Sequence, residues 1–361
     1  RCRLYEIPKN LKYITAMPRM QLYMDVSAKI YRIYLEYIAP EDLFSYSIDE
    51  CFIDITPYLE LYQKTPKEMA LFLMNEVYRR TGICATAGVG PNLFQAKIAM
   101  DILAKHVPEH IGILDDESFR KIMWHHRPIT DIWNIAGGIA RRLEKIGVYD
   151  LYGITRLPER WLYKTFGKNA EYLIDHAWGR EPCTIADIKS YKPKTQSISN
   201  GQVLFEDYTY EDAKILIHEM AETLIQELLD KDLAAKEVSL RVGYSGHEHL
   251  AANGSHRLDT YTNVPSHLQK AFQELFEAKV NPSFLIRTLN LSLNQVKPME
   301  ETGYQPSLFS DPVAEQKEVA IEKAMIEIHK KYGKNAMLRG IDYMPKATLR
   351  VRNTLIGGHH A

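Results

Sequence analysis

The chain has 361 residues, of which 45% are hydrophobic and 25% charged, and its formal net charge is −1 at pH 7. This length predicts more than one domain, about two to four, and the lack of an apolar run near the roughly 18 residues of a membrane-spanning helix excludes an integral membrane protein. The small net charge excludes a uniformly basic nucleic-acid binder, but charge is unevenly distributed. Lys and Arg outnumber Asp and Glu by 12 to 8 in residues 125–195 and by 9 to 5 in residues 313–361, whereas residues 196–298 carry 9 against 14.

The cysteines and the first residues favour a cytoplasmic protein. Cys2, Cys51, Cys84 and Cys183 lie far apart and form no CxxC pair. This spacing is typical of free thiols in a reducing compartment, rather than of a disulfide framework or a zinc site. Residues 1–4 include neither an initiator Met nor the apolar stretch of a signal peptide. We therefore expect no export, and a sequence that begins inside a longer protein.

Residues 1–124 have the pattern of an α+β layer. Apolar residues recur at near-helical intervals from 17 to 38, and Pro40 ends the run. Residues 43–56 mix β-branched and aromatic residues around Asp49-Glu50, which predicts a hairpin of two short strands with both acids at its bend. The next predicted elements are a helix opened by a Thr65–Glu68 capping box and ended near Gly82, a strand from Cys84 to Val89, and a helix from Leu93 to Ala104.

The rest of the chain predicts four further segments. Residues 125–186 are short helical stretches punctuated by glycine, typical of a small helical domain. Residues 187–196 have little apolar content and a central proline, as in a linker. Residues 197–298 have the order βαββαβ, which predicts a sheet backed by two helices. Residues 299–361 form a tail, with a polar loop followed by a helix over 312–332. Within the βαββαβ segment, strands are predicted at 197–205, 236–245, 256–263 and 285–293, and helices at 210–230 and 265–278.

Asp49 and Glu50 are the strongest candidates for catalysis. Successive side chains of a strand point to opposite faces, so at least one of two adjacent carboxylates at a strand bend is exposed. Magnesium commonly takes one or two protein carboxylates and completes its octahedron with water and substrate phosphates, as in nucleotidyl transfer. A bare Asp-Glu pair is more often an acidic turn. The surrounding residues are therefore needed to distinguish a metal site from an acidic turn.

The string Tyr46–Ile55, Tyr-Ser-Ile-Asp-Glu-Cys-Phe-Ile-Asp-Ile, resembles the palm motif of Y-family, lesion-bypass DNA polymerases, and it is most similar to the bacterial UmuC-like branch. The resemblance continues through residues 87–92 and 96–101, which look like the turn and helix behind the nucleoside triphosphate. It implies an error-prone DNA polymerase that acts in translesion synthesis, DNA repair and the SOS response. The implied fold is an α+β multidomain protein with a palm (1–124), a small helical thumb with a helix-hairpin-helix (125–186), a linker (187–196), a βαββαβ little finger (197–298) and a C-terminal tail (299–361).

The resemblance also implies roles for the acidic residues. Asp49 corresponds to a metal-binding aspartate and Glu50 to the glutamate beside the primer 3′ hydroxyl, in a site that holds two Mg²⁺ ions. Asp54 is expected to be structural. The family's first metal-binding aspartate, its steric-gate aromatic residue and its triphosphate-binding fingers residues are expected upstream of Arg1. Asp25, in the middle of a predicted helix, does not replace that aspartate.

Two lysines are candidates for the vicinity of the triphosphate. Leu93 stands where many relatives have a triphosphate-binding lysine, which leaves Lys97 and Lys105 as nearby cations. Either lysine is equally consistent with a solvated helix face.

Residues 133–138, Trp-Asn-Ile-Ala-Gly-Gly, resemble a helix-hairpin-helix, in which N–H groups at a helix N-terminus approach DNA phosphate. Relatives usually have glycine at Asn134 and Ala136, so the turn is expected either to shift onto Gly137-Gly138 or to bind phosphate less tightly. An ordinary helical hairpin is the alternative. The candidate DNA-binding residues here are Ile135, Gly137, Gly138, Arg141 and Arg142, and in the linker Lys192 and Lys194.

In the little finger, the resemblance implies that the sheet lies along the duplex. Lys236, Arg241 and Arg257 are the candidate contacts. The acidic excess of this segment is assigned to helices on the far face, and reversing the charge of Glu219 is therefore expected to leave DNA affinity unchanged. The acidic residues assigned to those helices are Glu211, Glu219, Glu222 and Glu227.

Residues 305–309, Gln-Pro-Ser-Leu-Phe, resemble the peptide by which bacterial polymerases dock on the sliding clamp. Gln305 would form hydrogen bonds, and Leu308 with Phe309 would fill an apolar pocket of the partner. Alternatively, the Leu-Phe pair packs on its own domain. The expected partners are primed template DNA, deoxynucleoside triphosphates, the clamp and accessory mutagenesis proteins, and the protein is expected to be monomeric.

Two other functions remain open from the residues alone. A palm-type nucleotide cyclase also uses paired acids, but it needs neither the thumb nor the clamp-like peptide. A protein that binds DNA and the clamp without catalysis is the second alternative, because one metal-binding carboxylate is not in the sequence.

Overall fold

The computed structural model describes residues 6–193, 196–246, 250–303 and 311–360. The chain divides into two compact units: residues 22–191, and residues 1–21 together with 192–361. The division falls within the segment predicted to be a linker. No helix in the described residues is long and apolar enough to cross a membrane.

The first unit contains two short strand pairs surrounded by helices. In chain order, the elements are α1 (Met20–Leu35), β1 (Leu43–Ser45), β2 (Cys51–Ile53), α2 (Pro66–Thr81), β3 (Ala87–Val89), α3 (Leu93–Ile98), β4 (Ile111–Ile113), α4 (Asp116–Ser118), α5 (Gly137–Glu144), α6 (Leu151–Thr155), α7 (Glu159–Phe166), α8 (Ala170–Ala177) and α9 (Ile185–Ser190). Strands β1 and β2 form the predicted antiparallel hairpin, with Ser45 opposite Cys51. Strands β3 and β4 pair in parallel.

Local sequence explains where α2 begins and ends. The Thr65 hydroxyl accepts a hydrogen bond from the Glu68 N–H, the Glu68 carboxylate accepts one from the Thr65 N–H, and Pro66 is the first helical residue. Such a capping box satisfies N–H groups that have no partner within the helix. Gly82 then takes a left-handed conformation (φ +72°) and ends the helix. The helix predicted from this pattern is confirmed.

The region after α2 differs from the prediction in three details. The strand predicted from Cys84 starts at Ala87. The helix predicted over Leu93–Ala104 is α-helical only to Ile98, after which Ala99–Leu103 form a π-helical turn. Strand β4 was not predicted, because Ile-Gly-Ile is too short, and too interrupted by glycine, to show an alternating pattern.

Two glycines allow the helical segment after β3 to pack directly on the strands. Gly88 in β3 lies opposite Gly112 in β4. A Cβ atom on Gly88 would collide with the carbonyl oxygen of Ala96, and one on Gly112 would collide with that of Ala99. The contact between helix and strands is therefore a contact between backbones.

One core joins α3 to the helices that follow. Phe94 and Ile98 of α3 are fully buried together with Phe119, Leu143 and Leu162. The predicted boundary between residues 124 and 125 therefore crosses a shared core.

The last helix of this unit corrects the linker prediction. Residues 187–190 belong to α9, which starts with a capping box between Thr184 and Asp187. The Lys189 ammonium donates hydrogen bonds to the carbonyl oxygens of Pro40 and Glu41. The polar composition of this segment thus reflects an exposed helix and not only a linker.

The second unit is built on a four-stranded antiparallel sheet. Its elements are β5 (Gln196–Tyr208), α10 (Tyr210–Asp230), β6 (Leu233–Tyr244), β7 (Ala251–Thr262), α11 (Pro265–Lys279), β8 (Ile286–Pro298), α12 (Pro312–Tyr332), α13 (Leu349–Arg352), β9 (Leu355–Ile356) and β10 (His359–His360). The strand order is β5-β8-β6-β7, which confirms the predicted βαββαβ unit. Val238, Leu240 and Val242 of β6 are buried in the core shared with α10 and α11, so Ser239 and Arg241 alternate onto the opposite face.

The tail packs against α10 and helps to bury two of the acidic residues that were assigned to this helix. Glu219 is fully buried, and its carboxylate accepts hydrogen bonds from the N–H groups of Thr348 and Leu349 and from the Thr348 hydroxyl. It caps the N-terminus of α13 from another helix. Glu222 is also buried, its carboxylate accepts a hydrogen bond from the Arg339 guanidinium at 2.7 Å, and burial raises its pKa to about 7. Glu219 and Glu222 are on the helix face of the sheet, as assigned, but they are not solvated.

Candidate active site and nucleic-acid interface

The bend between β1 and β2 presents the two candidate catalytic acids. The N–H groups of Tyr46 and Ser47 both donate to the Glu50 carbonyl oxygen, at 2.9 and 3.2 Å. The Ser47 hydroxyl donates to the Asp49 carboxylate at 2.7 Å. Asp49 is exposed and Glu50 half-buried. The bend is thus held by its own hydrogen bonds, and both carboxylates lie where the sequence placed them.

Lys97 is an integral part of this site. Its ammonium lies 2.6 Å from a Glu50 carboxylate oxygen and 3.1 Å from one of Asp101, and only 9% of its side chain is exposed. Burial alone would lower the pKa of Lys97, but the hydrogen bonds and charges of Glu50 and Asp101 outweigh this effect and raise it. Lys97 is therefore a charged partner of Glu50. Lys105, by contrast, is exposed on the short turn of residues 104–106.

Replacing Lys97 with Met should lower the free energy of unfolding by about 2 kcal/mol, because two partly buried carboxylates lose their cation. The matched control is Lys105→Met, the same change at an exposed position, with an expected effect within about 0.5 kcal/mol. Chemical denaturation of both variants measures the difference. Equal stabilities would show that the ion pairs of Lys97 contribute nothing net.

A cavity of about 350 Å³ adjoins the bend, lined by residues that include Phe52, Ile53, Gly88 and Val89. Among the described residues, β2 pairs only with β1, and β3 only with β4. The cavity thus has an unpaired strand edge on two sides. Burial raises the pKa of the Cys51 thiol on this wall to about 11. The thiol is therefore protonated, and so a weak nucleophile, near neutral pH.

The donor atoms of the bend suit a magnesium ion. Carboxylate oxygens are the ligands that Mg²⁺ takes from proteins, and one or two are enough when water and phosphates supply the rest. Asp49 and Glu50 offer such a pair. In the parts of the chain that the structure covers, no group of three or more His, Cys, Asp or Glu side chains is arranged to hold a metal.

In the predicted helix-hairpin-helix, the left-handed residue of the turn before α5 is Asn134 (φ +68°) and not a glycine. Gly137 and Gly138 are exposed first residues of α5, and no side chain caps this helix end. Their N–H groups have no partner within the helix, as phosphate binding requires. Ile135 is a correction: its side chain is 3% exposed and its N–H donates to the Ile132 carbonyl, so neither is available for DNA.

The two arginines of α5 differ. Arg141 is exposed. The Arg142 guanidinium donates to the Thr165 carbonyl at 3.4 Å and lies over the Phe166 ring, 5.7 Å from its centroid. Arg142 thus packs against α7, which makes Arg141 the stronger candidate for a phosphate contact.

The open face of the four-stranded sheet carries small and polar side chains in register. Arg241 lies opposite Asn253 and Asn290, and Arg257 lies opposite Glu237. One row across all four strands consists of Ser199, Ser292, Ser239 and Ser255. Sequence reasoning missed this row because it appears only when the register of four distant strands is known.

The remaining predicted residues differ in what the structure shows. The Lys236 ammonium lies 5.4 Å from the centroid of the Tyr261 ring. Lys192 is exposed. Four predicted residues lie outside the described residues: Lys194, Gln305, Leu308 and Phe309.

Comparison with known proteins identifies the family. Residues 2–101 match the impB/mucB/samB family and residues 195–308 match the C-terminal domain of the same family. Among curated relatives, a protein named for UV-damage repair, UvrX of Bacillus subtilis (strain 168), is 28% identical over 99% of this chain and 83% of its own length. DNA polymerase IV 2 of the same organism is 27% identical over 99% of this chain and 85% of its own.

A solved structure has the same fold. A Y-family DNA polymerase chimera built from Dbh and Dpo4 matches with a TM-score of 0.57 and 20% identity over 77% of each chain. The family matches cover the bend with Asp49 and Glu50 as well as the four-stranded sheet. The chain belongs to the Y family of DNA polymerases, the impB/mucB/samB family.

Proposed function

We propose that this protein copies damaged DNA templates, and that the β1–β2 bend is its catalytic centre. The observation that carries the proposal is the arrangement at the bend: an exposed Asp49, an adjacent Glu50, and the buried Lys97 ammonium 2.6 Å from the Glu50 carboxylate. This is an acidic site held in place by its own hydrogen bonds and by an ion pair. It is consistent with nucleotidyl transfer, in which acids position magnesium between enzyme and triphosphate.

Each residue of the bend has a distinct task in this proposal. Bound Mg²⁺ would polarise the phosphoryl group and offset its charge. Asp49 and Glu50 would hold the ion, Glu50 also lying beside the primer 3′ hydroxyl. Lys97 keeps the Glu50 carboxylate at one position through their 2.6 Å ion pair.

A further strand completes the site in this proposal. The family resemblance implies another metal-binding aspartate in the complete site. The cavity between β2 and β3 has an unpaired strand edge on either side in the described part of the chain. Such edges bind an added strand through main-chain hydrogen bonds. We infer that an extended strand enters here and brings the third carboxylate, as a two-metal site requires.

Primer extension tests the function. The full-length protein, with a primed template, Mg²⁺ and deoxynucleoside triphosphates, should add nucleotides opposite a normal base and opposite an abasic site. Omitting the template should abolish synthesis, which separates a polymerase from a template-independent transferase. Failure to extend with either Mg²⁺ or Mn²⁺ would refute the proposal.

DNA is bound, in this proposal, by backbone contacts and not by reading bases. The N-terminus of α5 offers N–H groups and Arg141 a cation, both suited to phosphate. The open face of the sheet offers Arg241 and Arg257 among short side chains that allow a duplex to approach. Affinity should therefore be independent of sequence and fall with salt.

Alanine at both Arg241 and Arg257 should weaken binding of a primed duplex about tenfold and reduce the salt dependence of log Kd by about 1 per lost phosphate contact. The matched control is alanine at both Lys214 and Lys270, which lie on the helices behind the sheet. Fluorescence anisotropy at several salt concentrations measures both. An equal loss in the control pair would mean that overall charge, and not this face, binds DNA.

The remaining roles rest on the resemblance. We propose a cytoplasmic protein of the SOS response that docks on the sliding clamp through Gln305, Leu308 and Phe309. The excess of basic over acidic residues at 313–361 is consistent with a protein that binds DNA.

A further inference from the structure

Two aromatic residues far apart in sequence meet beside the catalytic bend. The indole N–H of Trp133 donates a hydrogen bond of 3.0 Å to the hydroxyl oxygen of Tyr46. Their rings meet edge to face, with centroids 5.9 Å apart and planes at 80°. Tyr46 is 42% exposed, so its burial alone does not explain this contact. The pair joins the bend to the hairpin of residues 132–138.

Tyr46 is held closely to Glu50. Its N–H donates to the Glu50 carbonyl oxygen across the bend at 2.9 Å. Its ring lies 5.6 Å from the Lys97 ammonium, which is paired with the Glu50 carboxylate. A cation over an aromatic face is attracted by the ring's electron density. Tyr46 therefore contacts Glu50 through its backbone and, through its ring, the cation that is paired with the Glu50 carboxylate.

Trp133 is held equally closely on the hairpin side. It immediately precedes Asn134, the left-handed residue of the turn that leads to the N-terminus of α5. Its indole stacks on the buried His176 ring, with centroids 6.0 Å apart and planes at 15°. His176 in turn stacks on Phe94 at 3.9 Å and is paired with Glu181 at 3.0 Å. The indole thus packs on a buried ring that holds its orientation, with its N–H directed at the Tyr46 hydroxyl.

We propose that Tyr46 and Trp133 are positioning residues, which fix the catalytic bend relative to the phosphate-binding hairpin so that bound DNA and Glu50 keep one geometry. This inference rests on the proposed function. Neither residue needs to touch substrate. Trp133 sets the hairpin against Tyr46, and Tyr46 sets Glu50 through its backbone hydrogen bond and through Lys97. A small misplacement of a catalytic group costs much rate, even when its cause lies elsewhere.

The test removes the hydrogen bond while leaving an aromatic ring at each position. Trp133→Phe loses the N–H donor, Tyr46→Phe loses the hydroxyl acceptor, and the double variant loses both. In single-turnover primer extension with the full-length protein, each single variant should lower the rate constant of nucleotide addition about tenfold. The Kd for primed DNA should change less than twofold, because no phosphate contact is altered. The double variant should be no slower than the slower single variant, since both changes remove one bond.

A control and a spectroscopic readout separate positioning from general destabilisation. Trp161→Phe makes the same change on α7, where the indole packs on Phe166, and should leave the rate constant unchanged. The ¹⁵N-labelled indole resonance of Trp133 should move upfield in Tyr46→Phe, as a lost hydrogen bond requires.

The possible failures are distinguishable. An unchanged rate constant in either single variant, or a loss of DNA affinity that accounts for the whole effect, would overturn the positioning role and leave the polymerase assignment standing. Additive effects in the double variant would show that the two residues act separately, and would also overturn it. If the unaltered protein adds no nucleotide, the proposed function fails first, and the positioning role fails with it.

Discussion

Replacing Asp49 with Asn is expected to slow primer extension by about three orders of magnitude. The substitution keeps the size of the side chain and an oxygen that can accept the 2.7 Å hydrogen bond from Ser47, so the bend should keep its shape. What is lost is the negative charge that would hold a divalent cation. Charge stabilisation by a metal ion is worth several kcal/mol, and each 1.36 kcal/mol is a factor of ten in rate.

The matched control is Asp54→Asn, at the position that directly follows β2. The Asp54 carboxylate accepts a hydrogen bond from the Thr56 N–H at 2.9 Å, and asparagine retains that acceptor. Its rate should remain within about threefold of the unaltered protein, as expected for a conservative change outside the chemistry. Single-turnover extension at saturating triphosphate measures both variants. Near-normal extension by Asp49→Asn would remove this residue from the catalytic centre.

Glu219→Lys is expected to destabilise the second unit by about 4 kcal/mol. The carboxylate is fully buried and accepts hydrogen bonds from the N–H groups of Thr348 and Leu349. A lysine can accept none of these bonds and would bring an unpaired charge into the interior, which is among the most destabilising changes known for single residues. The prediction from sequence for this charge reversal concerned DNA affinity alone, and the burial of Glu219 adds an effect on stability that the sequence did not indicate.

Glu211→Lys on the same helix is the control. Its side chain is 76% exposed and, within the described part of the chain, forms an ion pair with Lys214 alone, so the expected change is within about 0.5 kcal/mol. Chemical denaturation reports both free energies of unfolding. If the Glu219 variant unfolds like the control, the packing of the tail on α10 does not contribute to stability.

The predictions that succeeded rest on short-range patterns. The capping box at Thr65, the alternating residues of the hairpin and the order βαββαβ each express a local preference of the backbone. The position of Asp49 and Glu50 at the bend followed from the same hairpin. These features lie within a few residues of one another in the chain, where sequence patterns are most informative.

What the sequence misjudged or left open depends on contacts across long distances in the chain. Glu219 looks like a surface residue until the tail, 129 residues later, covers it. Lys97 looks equally like a solvated lysine and a functional one until Glu50, 47 residues earlier, lies against it. Ile135 was predicted to be part of a phosphate-binding turn, but its side chain is buried in the helical core. No local sequence pattern shows whether such a residue is buried, because the segment that covers it is distant in the chain.

The geometry of the catalytic bend also depends on Gly88 and Gly112, although neither has a side chain. Their bare backbones let Ala96 and Ala99 lie against the strands, and Lys97 sits between those two alanines in the chain. A single methyl group at either glycine would push this segment outward and draw the ammonium away from Glu50. The alignment of Glu50 with Lys97 is thus set partly by two glycines in the strands that support residues 96–99. A substitution at either glycine is therefore expected to disturb the catalytic geometry while every catalytic side chain is still present.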